Sequence, residues 1–225
     1  MSKKEETKHD ELENVQHALT TTEAFIEKYQ KQLLFGVGAL VLIVLVALSV
    51  KNFYLAPREI AAENEMYKAQ ARFATDSFKV ALEGDGANFI GFKEIVSEYS
   101  VTSSGNLAAA YAGICYYRLG QYENAVKYLT QYSGKDTYLN ASVIGLTGDC
   151  YIELNETSKA ISYFEKAADM KNEVMSPIYL KKAGLVYESL KDNEKAEKAY
   201  NTIKEKYPKS QEAADIDKYL ARVQK

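Results

Sequence analysis

Gly, Tyr, Leu, Ala and a large apolar residue recur three times in this chain with the same internal spacing. The first window is Gly113-x-x-Tyr116-x-x-Leu119, then Ala125 and Leu129. The second is Gly148, Tyr151, Leu154, Ala160 and Phe164, and the third is Gly184, Tyr187, Leu190, Ala196 and Tyr200. Successive windows begin 35 and 36 residues apart. Self-similarity at such a period leaves few folds open. Each unit is one supersecondary element that buries its apolar face against its neighbours, which makes a solenoid. The spacing also identifies the element. Gly, Tyr and Leu at i, i+3 and i+6 share one stripe of a helix, and Ala with a large residue four later shares one stripe of a second helix. Gly and Ala, with little or no side chain, mark where the two antiparallel helices approach closest, while Tyr and Phe fill the space around them. Short polar turns at Gly120-Gln121, Asn155-Glu156 and Lys191-Asp192-Asn193 join the helices.

This pattern resembles the tetratricopeptide repeat, a helix-turn-helix unit of about 34 residues with small residues at its eighth and twentieth positions. Tyr207-Pro208 closes the third unit where that family often has Pro. The usual Trp of the fourth position is Ala109, Ile144 and Leu180 here. The expected fold is therefore all-α. Residues 101–209 hold three repeats, about 106–135, 141–171 and 177–209. Residues 56–100 make a degenerate first helix pair, broken at Glu83-Gly84-Asp85-Gly86, with a second helix over 87–99 that sets Phe92, Ile95 and Tyr99 on one side. Residues 210–225 form a capping helix with Ala213, Ile216, Leu220 and Val223 inward.

Ahead of the repeats, residues 33–50 read LLFGVGALVLIVLVALSV, without a charge, Pro, Asn or Gln. As a helix this run is roughly 27 Å long, and Phe53, Tyr54 and Leu55 extend it past a snorkelling Lys51 to the thickness of a bilayer core. A core helix would show a polar face, and this run has none. A cleaved signal peptide fits poorly, because the preceding 32 residues carry seven acids against five lysines and no small-x-small site follows. The expected organisation is a short tail over 1–32 and a transmembrane signal anchor over 33–55. Basic residues are nearly balanced across the run, so charge bias decides little. A cytoplasmic tail with the large part exported is the ordinary signal-anchor arrangement and is the expected topology. In the tail, Thr20-x-x-Glu23 reads as a capping box that starts the membrane helix near Thr21.

Chemistry is hard to find in the remainder. Both histidines, His9 and His17, precede the apolar run, so residues 51–225 offer no Ser-His or Cys-His nucleophile and few transition-metal ligands. No Walker loop, dinucleotide fingerprint, zincin helix or EF-hand loop is present. Asp85 between two glycines reads as a solvated turn rather than an ion loop. From residue 58 onward 22 Lys and Arg meet 24 Asp and Glu, which gives no basic footprint for nucleic acid. Cys115 and Cys150 occupy equivalent repeat positions, about 9 to 10 Å apart in stacked helices, too far for a disulfide. They read as buried thiols. No enzyme, cofactor, metal or small-molecule substrate is expected, although a carboxylate-only site at Asp149 or Glu188 stays open.

A binding surface remains. In tetratricopeptide arrays the first helix of each unit lines a concave groove. By that resemblance the lining positions are Leu107, Ala110, Ile114 and Tyr117; then Ser142, Gly145, Asp149 and Ile152; then Ile178, Lys181, Leu185 and Glu188. The family's clamp for a peptide carboxylate needs Lys and Asn where Ala110 and Ile114 stand, so it is absent. Ile114, Tyr117, Ile152 and Leu185 suit an apolar helix or extended segment, or else the chain's own C-terminal helix or its membrane-proximal helix. The whole layout resembles the YfgM-like family of bacterial inner-membrane proteins, ancillary to the Sec translocon. The resemblance implies a single-pass inner-membrane protein with a cytoplasmic N-terminus and a periplasmic domain. Its implied partners are translocon subunits, a periplasmic chaperone or apolar peptide segments. A scaffold for another envelope machine and a holdase for unfolded exported chains are the alternatives.

Overall fold

The computed structural model describes residues 28–32 and 34–224, and the chain divides into two compact units at Ala56 and Pro57. The tail over 1–27, with the capping box at Thr20 and Glu23, lies outside the described residues.

The first unit is helical. Helix α1 covers 34–49 and leads into a π-helical stretch, Val50–Leu55. The helical run Lys28–Phe73 that contains it is long and apolar enough to cross a membrane, by length and composition, and none of its apolar window is buried within the protein. Leu34 and Phe35 are almost fully open at 77% and 78% exposure, and a Cβ added at Gly36 or Gly38 would meet nothing within 4 Å.

The second unit is all-helical, apart from one isolated antiparallel bridge between Gly84 and Ile90 among the described residues. Its elements are α2 (Ala56–Phe73), α3 (Phe78–Glu83), α4 (Phe92–Glu98), α5 (Ser103–Arg118), α6 (Tyr122–Leu129), α7 (Thr137–Glu153), α8 (Thr157–Ala168), α9 (Met175–Ser189), α10 (Asn193–Lys206) and α11 (Ile216–Val223). Helices α5 and α6, α7 and α8, and α9 and α10 pack as pairs, and the second helix of each pair packs on the next first helix. The apolar core lies in two clusters that meet at α7, where Val143 and Cys150 belong to one and Ala141 to the other.

The recurrent glycines have a specific physical role. A Cβ on Gly113 would sit 2.5 Å from Leu129 Cγ, and one on Gly148 would sit 2.6 Å from the Phe164 ring. Gly184 stands in the same relation to the Tyr200 ring. Each glycine thus makes room for the large residue sixteen positions later, which is almost completely buried at 1%, 1% and 0% exposure. The recurrent alanines, Ala125, Ala160 and Ala196, are fully buried beside them.

The turn inside each pair repeats as backbone geometry rather than as sequence. Gly120, Asn155 and Lys191 all adopt left-handed φ values of 72°, 61° and 62°. The amides of Gln121, Glu156 and Asp192 donate to the carbonyls of Tyr116, Tyr151 and Tyr187 at 2.9, 2.8 and 3.0 Å. This is the Schellman closure, which satisfies carbonyls that a helix end leaves unpaired. It also corrects the reading of the recurrent leucine. Leu119, Leu154 and Leu190 stand at helix C-caps, and Leu119 and Leu190 are exposed, because the helix ends where a continuous stripe would have carried them inward.

First helices begin a few residues before the expected starts. The Thr102 hydroxyl accepts from the Gly105 amide, and Asp136 accepts from the amides of Tyr138 and Leu139. Both are side-chain N-caps that the apolar pattern does not register.

The region over 56–100 departs furthest from expectation. Its first helix is interrupted, with Asp76 left-handed at φ 55° between α2 and α3. Its second is only Phe92–Glu98, because 87–90 is drawn back to the Gly84 bridge. A Cβ on Gly84 would lie 2.7 Å from the Phe89 carbonyl oxygen, so the approach requires glycine. Phe92 and Ile95 are fully buried, with Tyr99 partly buried beside them. The Asp85 carboxylate accepts from the Asn88 side chain, foremost, and from the amides of Asn88, Ala87 and Phe89, which hold its carboxyl far below the usual range. At the other end, Ser210 and a 3-10 turn, Glu212–Asp215, precede α11, and Ile216, Leu220 and Val223 are buried. Ala213 packs against the same cluster. Cys115 and Cys150 are free and buried, and burial pushes each thiol up to about 12.

Candidate partner-binding site

Helices α5, α7 and α9 present the positions expected to line a groove, and the structure sorts these into three kinds. Ala110 and Gly145 are buried and are removed from the site. Space at Gly145 is taken by the Tyr179 ring from the next first helix, whose hydroxyl donates to the Ser142 carbonyl at 3.3 Å. Leu107, Ile114, Tyr117, Ser142 and Ile178 are half-buried, with Leu107, Tyr117 and Ile178 packed against the core. Ile152 and Leu185 are open, at 38% and 41% exposure.

The charged positions are engaged within the fold. Lys182 donates to both oxygens of Asp149 at 2.7 and 2.6 Å, and its ammonium lies 5.5 Å from the Tyr179 ring centroid. Burial raises the Asp149 carboxyl above its ordinary value, and Lys182 only partly opposes that. Lys181 donates to Asp215 at 2.7 Å, and Arg222 donates to Glu188 at 2.8 Å. The Tyr200 hydroxyl also donates to Glu188 at 3.0 Å. Arg222, foremost, and Tyr200 hold the Glu188 carboxyl low. The C-terminal segment therefore occupies the polar positions of the third unit, with Tyr219 lying between Lys181 at 4.5 Å and Arg222 at 4.4 Å.

These arrangements bear on chemistry. Asp149 and Glu188, the two carboxylates that a carboxylate-only site would use, are each bound to a cation in an ion pair. Neither stands as a free acid or base. What stays open on this face is apolar, Ile152 and Leu185, with Ile114 and Tyr117 half-buried. Burial raises the Tyr117 phenol, with Asp149 and Glu153 adding to the effect, so the ring is neutral at physiological pH. Two adjoining clefts of about 810 and 660 Å³ share Glu173, Lys206 and Tyr207; the first lies beside α8 and α10, and the second is lined by Ile178, one of the expected groove positions, and by residues 208–212.

Lys182, Tyr179, Asp215, Tyr219 and Arg222 were missed by sequence reasoning. A signal for the ion pairs did exist. Asp149–Lys182, Lys181–Asp215 and Glu188–Arg222 are separated by 33, 34 and 34 residues, which is one repeat, with opposite charges at the two ends.

Residues 111–135 and 182–210 match one tetratricopeptide repeat profile, and residues 141–173 match a second. These segments are tetratricopeptide repeats. Solved structures agree on the fold. A tetratricopeptide repeat protein from Parabacteroides merdae superimposes with a TM-score of 0.59 at 20% identity, over 72% of this chain and 60% of that one. This chain thus spans about three fifths of that relative. MamA superimposes with a TM-score of 0.54 at 19% identity, over 72% of this chain and 89% of its own. No curated protein matches the sequence. Tetratricopeptide arrays act through protein partners, and nothing among the described residues points to catalysis.

Proposed function

We propose that this chain is a membrane-anchored scaffold whose tetratricopeptide array receives an apolar segment of a protein partner. The observation that carries the reading is the contrast between the two units. Every apolar side chain of the α1 window is uncovered, while the array closes its own core through paired helices and a terminal helix. An uncovered, uncharged run over 34–50 on one helix fits a hydrocarbon environment, in which the helix satisfies its own backbone. On the array, the charged groove positions are neutralised internally, and Ile152 and Leu185, with the exposed parts of the half-buried Ile114 and Tyr117, are left for a partner.

The resemblance to the YfgM-like family supplies the finer reading. The anchor lies in a bacterial inner membrane with the array on the periplasmic side, and the scaffold holds a chaperone beside chains emerging from the Sec translocon. The protein performs no covalent step itself. Photocrosslinking in intact membranes from Tyr117 and Leu185, with products identified by mass spectrometry, tests it. Adducts with translocon subunits or an exported chaperone are expected. Adducts with many unrelated exported chains would replace the scaffold with a direct holdase, and adducts only with residues 210–225 would remove the groove as a partner site.

A further inference from the structure

Helix α2 has two faces, and only one of them is covered. Ala62, Met66 and Ala69 are buried against the array. On the opposite side of the same helix, by the 3.6-residue period, run Ile60, Asn64, Tyr67 and Ala71. All four are exposed, with Ile60 at 61% and Tyr67 at 76%. Their spacing of four, three and four is the coiled-coil seam. Ile60 and Tyr67 fall at d positions, and Asn64 and Ala71 fall at a positions.

We infer that this face is a parallel, two-fold contact with a second copy of the chain. Three observations favour that occupant. A lone Asn at an a position between two apolar d residues is the element that fixes register and favours two strands, because the two amides pair across the axis. The flanking charges complement one another in the same register. Glu63 lies at g and Lys68 at the following e, so in a parallel pair Glu63 of one copy faces Lys68 of the other. Both residues are exposed, and the Lys68 ammonium, which within one copy pairs with Glu65 at 2.6 Å and donates to the Asn88 carbonyl at 3.2 Å, would share or exchange these contacts for the one across the seam. Symmetry agrees as well. Two copies anchored in one membrane with the same topology are related by an axis along the membrane normal, as a parallel seam requires. That last argument rests on the anchor proposed above.

The seam is short, about two heptads, and is too small to hold two soluble proteins together at low concentration. Confinement to a membrane raises the effective concentration of copies and makes so small a contact sufficient. The contact pairs two arrays side by side and doubles the grooves available to a partner with two binding segments.

The test is a cysteine scan of the full chain in its membranes, with single substitutions from Ile60→Cys to Ala71→Cys and mild oxidation. The native thiols are buried and serve as background. The expected dimer yield peaks at 60, 64, 67 and 71, at least about fivefold over 61, 63 and 68. Glu63→Lys is expected to lower the peaks, and adding Lys68→Glu to restore them. A flat profile, or peaks in another phase, overturns the proposal. Alkaline extraction of the same sample reads the anchor separately. The dimer profile is scored on whichever fraction holds the chain, so loss of the anchor and loss of the seam give different results.

Discussion

Between Ser103 and Lys206 the helices meet through a fixed pairing of glycine with a large residue, whereas between Ala56 and Glu98 they are tied by charged side chains that reach backbone amides and carbonyls. In the repeats, Gly148 opposite Phe164 and Gly184 opposite Tyr200 are contacts of shape, which depend on packing density and tolerate no added atoms. In the leading region, Glu59 accepts from the amides of Ser103 and Ser104 at 2.7 and 2.8 Å and so caps α5 from outside. Glu65 accepts from the Ile90 amide at 3.1 Å, Lys68 donates to the Asn88 carbonyl at 3.2 Å, and Arg58 donates to the Glu98 carbonyl. Where the apolar period lapses, polar side chains satisfy the exposed ends of short helices instead. The lesson is that one array can be closed by two chemistries, one insensitive to pH and the other not.

The difference can be broken at its strongest point first. Gly148→Leu overfills the space held by Phe164 and is expected to cost about 3 kcal/mol, seen as a lower melting temperature of the full chain by circular dichroism. An unchanged melting temperature would show that the pair of helices is not packed this way. Next, Lys182→Ala leaves Asp149 half-buried without its cation and is expected to cost roughly 2 kcal/mol at neutral pH, reduced from a fully buried pair by partial exposure. Since burial already raises the Asp149 carboxyl, protonation favours the folded state, so this deficit should shrink as pH falls through the raised value. A deficit that grows in acid would contradict the assignment.

Glu59→Gln tests the other chemistry, with an expected loss of about 1 kcal/mol. Burial alone would raise the Glu59 carboxyl, but the bonds from Ser104 and Ser103 outweigh it and leave the carboxyl lowered. Its contribution is therefore present above the ordinary glutamate value and lost as pH falls through the lowered one. Urea midpoints of the wild type and the variant should converge in acid, and a gap constant with pH would mean the charge is not what holds α5. The smallest effect is expected at Leu190→Ser, within about 0.5 kcal/mol, because that C-cap side chain is half exposed. A loss above about 1 kcal/mol would return the leucine to the core.

Much of the array was legible because its residues act at fixed distances along the chain. Gly113, Ala125 and Leu129 and their counterparts recur with the helix pairs they define, so periodicity alone recovers them. The breaks were not legible for a related reason. Asp76 turns the chain between α2 and α3 once, with no second copy to make a pattern, and Glu59 reaches α5 across more than forty residues. Thr102 and Asp136 cap their helices from outside the apolar stripe, so first helices start earlier than the stripe suggests. On the binding face, sequence position placed Ala110 and Gly145 beside Ile114 and Asp149, but position along a helix does not reveal whether a neighbouring ring covers it. Tyr179 over Gly145 is such a case. The open apolar residues and the closed ion pairs became separable only when the third dimension was supplied.

The turns at Gly120, Asn155 and Lys191 carry a consequence for how such a molecule can change. Each is closed by main-chain groups alone, from the amides of residues 121, 156 and 192 to the tyrosine carbonyls, and the left-handed residue has been Gly, Asn and Lys without altering the bond. The outer edge of the array is thus written in a script that does not depend on its letters. Side chains there can be exchanged to suit new company while the joints beneath them keep their angle.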